Sequence, residues 1–178
     1  MYGRLYRVLL ICAALLPWLA DVRLLAADTN TAQVEVAFDE DCEKIILREL
    51  PKAKQELVVT TYIITRACVI DAICRVAERK VPVKLKYDER LSDDSASMKR
   101  ALEKMRKAGV ACAAVKSRGS YGKMHDKFIV IDRQRVLTGS YNFTTTASKD
   151  NYENLVFIES PQVADEFIRA FERIKTTD

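Results

Sequence analysis

The chain has a single histidine, His125, among 178 residues. One imidazole cannot supply a multi-histidine metal centre, and the cysteines stand at spacings that match no zinc site. There is no internal repeat and no low-complexity tract, so one ordinary globular domain is expected. No carboxylate cluster of the kind magnesium prefers lies beside the histidine, so neither a metal nor a cofactor is expected. The longest apolar run, residues 8–20, falls short of the roughly 20 residues a membrane span needs. It follows a basic stretch with Arg4 and Arg7 and precedes Ala26-Ala27, which reads as a secretory signal peptide over residues 1–27. An uncleaved anchor is the alternative. The mature domain, residues 28–178, is expected to be periplasmic or secreted, with no stable membrane insertion once the leader is gone.

A strong charge of one sign is also missing. Without residues 1–27, Lys+Arg falls from 29 to 26 and Asp+Glu from 25 to 24, which leaves +2. A polyanionic partner must therefore be argued from a local cluster, not from the total. Cys12 leaves with the leader, and Cys42, Cys68, Cys74 and Cys112 remain, which allows three full pairings. Export permits disulfides. All four nevertheless lie in apolar segments, and Cys68 and Cys74 share one expected helix in a poor geometry for a bridge, so buried thiols are expected.

What is present is concentrated in residues 121–143. Lys127-Phe-Ile-Val-Ile-Asp132 is a β-branched and aromatic run and reads as a strand. Side chains two apart share a face, so His125 and Lys127 project together. Asp132 has the opposite parity and opens a tight turn. Residues 136–140 run back as a second strand. A two-residue loop of Arg133 and Gln134 would set Asn142 opposite His125 and Ser140 opposite Lys127, with facing Cβ atoms roughly 4.5–5.5 Å apart. A slip of one residue would exchange the faces. In this register one face gathers a nucleophile, a fixed cation and two neutral hydrogen-bonding groups, a set suited to phosphate.

The pattern His125-x-Lys127-x4-Asp132-x6-Gly139-Ser140-x-Asn142 resembles the HxKxxxxD(x6)GSxN signature of the phospholipase D superfamily. Asn151-Tyr-Glu153-Asn154 resembles the downstream segment that carries that family's acidic residue. The likeness spans about residues 33–175 and is greatest to the small, secreted, single-motif bacterial endonucleases. It implies an α/β fold, a mixed sheet sandwiched between helices. It implies attack by His125 on phosphorus, phosphate binding by Lys127 and Asn142 with Ser140 in support, and orientation of His125 by Glu153. Asp132 belongs to the signature, yet its parity suggests a turn or support role. Relatives with two motifs use a second histidine as the acid. With one motif here, the resemblance implies a homodimer whose two copies share one active site.

Strands alternating with helices fill the rest, with Pro51 ending one helix and Gly109 another. Residues 92–95 read as a polar break before a helix, and Ser160-Pro161 as a helix start. Lys116, Arg118 and Lys123 flank Tyr121 on the loop before His125 and could track a nucleic-acid backbone, with Tyr121 stacking on a base. Arg133 and Arg135 stand about 20 Å away at the far end of the hairpin and fall outside the site. A nonspecific endonuclease, on DNA or RNA, is the leading reading. A phospholipase D on phospholipid headgroups and a catalytically silent nucleic-acid-binding module are the alternatives.

Overall fold

Phe128-Ile-Val-Ile has no polar position because both of its faces are covered. In the computed structural model, residues 32–119 and 121–177 are described, and the expected leader lies outside them. Strand β5, Phe128–Ile131, sends Ile129 and Ile131 into the larger core and Phe128 and Val130 into the smaller one. A strand covered on both faces reads as a continuous apolar run. Its neighbour β2, Leu57–Thr61, is buried at every position. From β2 the sheet continues in parallel through β3, Val83–Asp88, to β4, Ala111–Val115. From β5 it continues antiparallel through β6, Arg135–Gly139, and β7, Asn154–Glu159, to β1, Gln33–Phe38. The seven-stranded mixed sheet has the order β1-β7-β6-β5-β2-β3-β4.

Three amphipathic helices line the larger core. Helix α1, Glu40–Glu49, buries Cys42, Ile45 and Ile46. Pro51 then opens a short 3-10 turn, Leu50–Lys52. Helix α2, Ala67–Glu78, buries seven residues and is the central one. A short helix α3, Glu89–Asp94, precedes α4, Ala96–Lys107, which buries Met98, Ala101, Leu102 and Met105. Residues 92–94 are thus helical and not a polar break. Asp88 accepts from Leu91 N and caps α3, while Ser95 accepts from Met98 N and caps α4. Gly109, at φ 97°, supplies the left-handed stop after α4. A one-turn helix α5, Thr145–Lys149, follows β6. Helix α6, Pro161–Arg173, caps itself with Ser160 and lays Ala164, Ile168 and Phe171 on the smaller core. All four described cysteines are free thiols: Cys42 and Cys74 are buried, and Cys68 and Cys112 are half-buried. Burial pushes the Cys42 and Cys112 thiols up to about 11. Among the described residues no helix is long and apolar enough to cross a membrane.

The hairpin departs from the expected register by one residue. Its pairs are Phe128–Thr138, Ile129–Leu137, Val130–Val136 and Ile131–Arg135, so the turn has three residues, Asp132 to Gln134. Asp132 and Arg133 both adopt left-handed backbone, at φ 54° and 52°. Aspartate tolerates this better than most residues, and here its carboxylate is engaged as well. It accepts hydrogen bonds from the backbone N–H groups of Lys54, Gln55 and Glu56 at 3.0, 2.7 and 3.1 Å. Gly139 is forced by packing: a Cβ there would overlap the Asn154 carbonyl of β7.

Candidate active site

His125 and Lys127 stand just before β5, beyond the ladder, so the register shift does not separate them. The Lys127 Nζ donates to the His125 carbonyl at 2.8 Å and lies 3.2 and 3.3 Å from the two ring nitrogens. His125 is an exposed residue, but partial desolvation by the groups packed on it lowers its pKa below the ordinary value, and the Lys127 and Lys123 ammonium groups lower it further. Its imidazole is therefore neutral near pH 7 and has a lone pair to offer. Burial also lowers the Lys127 pKa, while Glu153 and Asp126 act to raise it. The Tyr62 ring packs beside His125, with centroids 5.0 Å apart, and Lys123 Nζ lies 5.3 Å from the centre of the same Tyr62 ring.

The second cluster forms where β6 ends and β7 begins. Ser140 Oγ donates a short hydrogen bond to the buried Glu153 carboxylate, which also accepts from Asn151 Nδ2 at 3.0 Å. Asp39 Oδ1 accepts from the Glu153 backbone N–H. Glu153 was expected to orient His125; here its partners are Ser140 and Asn151. Its negative charge opposes the lowering that burial imposes on the Lys127 pKa. Asn142 keeps its side-chain oxygen buried and unpaired. The expected facing of Asn142 with His125 and of Ser140 with Lys127 does not form, because the three-residue turn shifts the second strand by one. Behind Asn142, a network of Glu43, Arg66, Tyr141 and Ser148 ties the segment to α1 and α2.

Asp132 sits at the opposite end of β5 from His125 and spends its carboxylate on the amides of residues 54–56. It is a turn anchor, not part of the His125 cluster. Lys116, Arg118 and Lys123 line a cleft of about 720 Å³ together with His125. Tyr121 is 95% exposed and is not among the residues lining it.

Sequence reasoning missed several neighbours. Tyr62 follows the C-terminal end of β2, and substrates bind beyond the carboxyl ends of strands in open α/β sheets, so its position was the available signal. Asp88 is 2% exposed, and its Oδ2 accepts from the Met124 N–H, which fixes the backbone one residue before His125. Arg173 and Lys175 also line the cleft, 48 and 50 positions beyond His125, and no local signal marks them.

The chain is similar to known proteins over most of its described length. A family model described as "Cardiolipin synthase, PLD-like domain" matches residues 46–175. A phospholipase D of Rickettsia typhi is 30% identical over 128 residues, covering 72% of this chain and 60% of that protein. The mitochondrial cardiolipin hydrolase of Mus musculus is 39% identical over 70 residues, 39% of this chain and 30% of that one. The chain thus spans less than two thirds of the length of these curated relatives. Among solved structures, the phospholipase D family member Nuc from Salmonella typhimurium superposes with a TM-score of 0.73 at 25% identity, covering 82% of this chain and 98% of that one. On the family match over most of its length, the chain belongs to the phospholipase D superfamily.

Proposed function

We propose that the chain is a metal-independent phosphodiesterase, a nonspecific endonuclease that cleaves nucleic-acid phosphodiester bonds through a phosphohistidine. One observation carries this reading: a neutral imidazole in contact with a buried ammonium, opening onto a basic cleft. A His125 ring nitrogen attacks phosphorus, the bond to the leaving sugar oxygen breaks, and that oxygen takes a proton. Water then attacks the phosphohistidine, the P–N bond breaks, and one water proton returns to the acid of the first step. Lys127 neutralises charge building on the non-bridging oxygens, and Asn142 donates its amide N–H to them. Ser140 and Glu153 brace the end of β6 beside them. No step draws on a metal, because Lys127 supplies the positive charge.

The chain's one histidine cannot attack and protonate at once. The proposal therefore includes a homodimer in which His125 of one copy attacks and the second copy's histidine protonates. Mixing wild type with excess inactive His125→Ala chains, after subunit exchange, should make activity fall as the square of the wild-type fraction. A linear fall would mean each copy works alone. Such a pair is most active when one ring is neutral and the other protonated, near the shared pKa. Since the surroundings lower that value, kcat/KM should peak at or below pH ~6.5, the ordinary histidine pKa being about 6.5. A pH–rate profile with its maximum above neutrality would contradict this.

The direct test is nicking of supercoiled plasmid in excess EDTA. Nicking that survives the chelator supports the reading, and cleavage that requires added metal refutes it. A phospholipase acting on headgroups is the second reading, favoured by the names of the phospholipase D and cardiolipin hydrolase relatives. Headgroup release from phospholipid vesicles, without plasmid nicking, would select it. Retained nucleic-acid binding without turnover of either substrate would leave the silent binding module.

A further inference from the structure

The cleft beside His125 holds far more positive charge than one phosphodiester needs. Its walls come from three parts of the chain: Lys116 and Arg118 after β4, Lys123 and Asp126 around His125, and Arg173 and Lys175 at the end of α6. Five cations thus face one carboxylate. Among the described residues, none of the five has a carboxylate partner within 4.0 Å, whereas Arg48, Arg66, Arg133, Arg135 and Arg169 all do. Unpaired like charges gathered in one cleft repel each other and raise the local concentration of anions.

The C-terminal wall is built and not a loose tail. Lys86 Nζ donates to the carbonyls of Phe171 and Ile174, at 2.8 and 2.7 Å, and lies 4.3 Å from the centre of the Phe171 ring. At Ile174 the chain leaves the helix for extended backbone. Three residues later the Thr177 N–H donates to the Ala114 carbonyl of β4 at 3.0 Å. The segment is pinned on both sides of Lys175, at Ile174 by Lys86 and at Thr177 by the edge strand β4. Arg173 and Lys175 are exposed, so neither is spent on the core.

Resting on the nuclease reading above, we propose that Arg173 and Lys175 form a phosphate-backbone subsite, which takes phosphates flanking the scissile one on a polynucleotide strand. A strand offers a phosphate at every nucleotide, so one strand can engage several spaced cations at once. The two residues are specificity-determining and not catalytic: they act on binding and leave the chemistry at His125 alone.

The experiment compares the full chain with its Arg173→Ala/Lys175→Ala double variant, and with Arg173→Lys, on two substrates. With a short labelled single-stranded DNA oligonucleotide, the double variant should raise KM about tenfold and leave kcat unchanged. Each lost phosphate contact on a single strand should also lower the slope of log KM against log salt by about 0.7. With bis(para-nitrophenyl) phosphate, which has no flanking phosphate, kcat/KM should be unchanged. Arg173→Lys, which keeps the charge, should retain most of the wild-type KM. If wild type cleaves the oligonucleotide and the double variant matches it in KM and salt slope, the subsite is refuted while the nuclease reading stands. Should wild type hydrolyse anionic phospholipid vesicles and leave the oligonucleotide intact, the nuclease reading itself falls and takes the subsite with it.

Discussion

Replacing His125 with alanine should lower turnover by about 10⁴-fold or more while leaving the fold intact. Loss of a covalent nucleophile has no substitute at the reacting phosphorus, and deletions of this kind are among the largest single-residue effects in enzymes. Stability should barely change, because the imidazole is exposed and its own backbone carbonyl, not the ring, accepts the 2.8 Å bond from Lys127. Surface changes of this sort stay within about 0.5 kcal/mol. Two measurements check it together: single-turnover cleavage, and mass spectrometry of acid-sensitive phosphate on the quenched wild-type protein. A phosphate adduct on His125 that the variant lacks is the expected result. An alanine variant within tenfold of wild type would remove His125 from the chemistry.

Replacing Asp132 with alanine should do the opposite. The carboxylate is the acceptor for three backbone amides, at Lys54, Gln55 and Glu56. An amide deprived of its partner costs about 1–3 kcal/mol when buried. The site is only part-buried, so water relieves some of this, and a total near 3 kcal/mol is expected. Alanine also tolerates left-handed backbone less well than aspartate. Urea unfolding should show a lower midpoint with an unchanged slope. At a temperature where the variant stays folded, its kcat should lie within about threefold of wild type. Asp132→Asn, which keeps one carbonyl oxygen and suits the turn, should lose less. Abolished turnover with unaltered stability would return Asp132 to the catalytic group.

These two residues stand seven apart in one motif, and they show where local reading worked. His125 and Lys127 are two apart beside a strand, and a period of two brings them together whatever the strand pairs with. The cap at Ser160 with Pro161 behind it, and the stop at Gly109, are likewise matters of a few neighbouring residues. The hairpin register was not of this kind. A two-residue and a three-residue turn are both open to Asp132-Arg-Gln, and the choice between them rests on amides 76 to 78 residues away. Glu153 is similar: its bond to Ser140 needs β6 and β7 paired, and its bond from backbone to Asp39 needs β1 beside them.

From the residues alone came the α/β class, the order of strands and helices apart from α3, the His125–Lys127 pair and the family it belongs to, because periodicity, capping and motif spacing act over a few positions. Folding then determined that β1 closes the sheet beside β7 and which amides the Asp132 carboxylate anchors. It also brought Arg173 and Lys175 to the cleft of His125. Those outcomes depend on contacts between segments tens of residues apart. Such contacts are selected by burying two cores on the two faces of one sheet, and no local pattern along the chain encodes them.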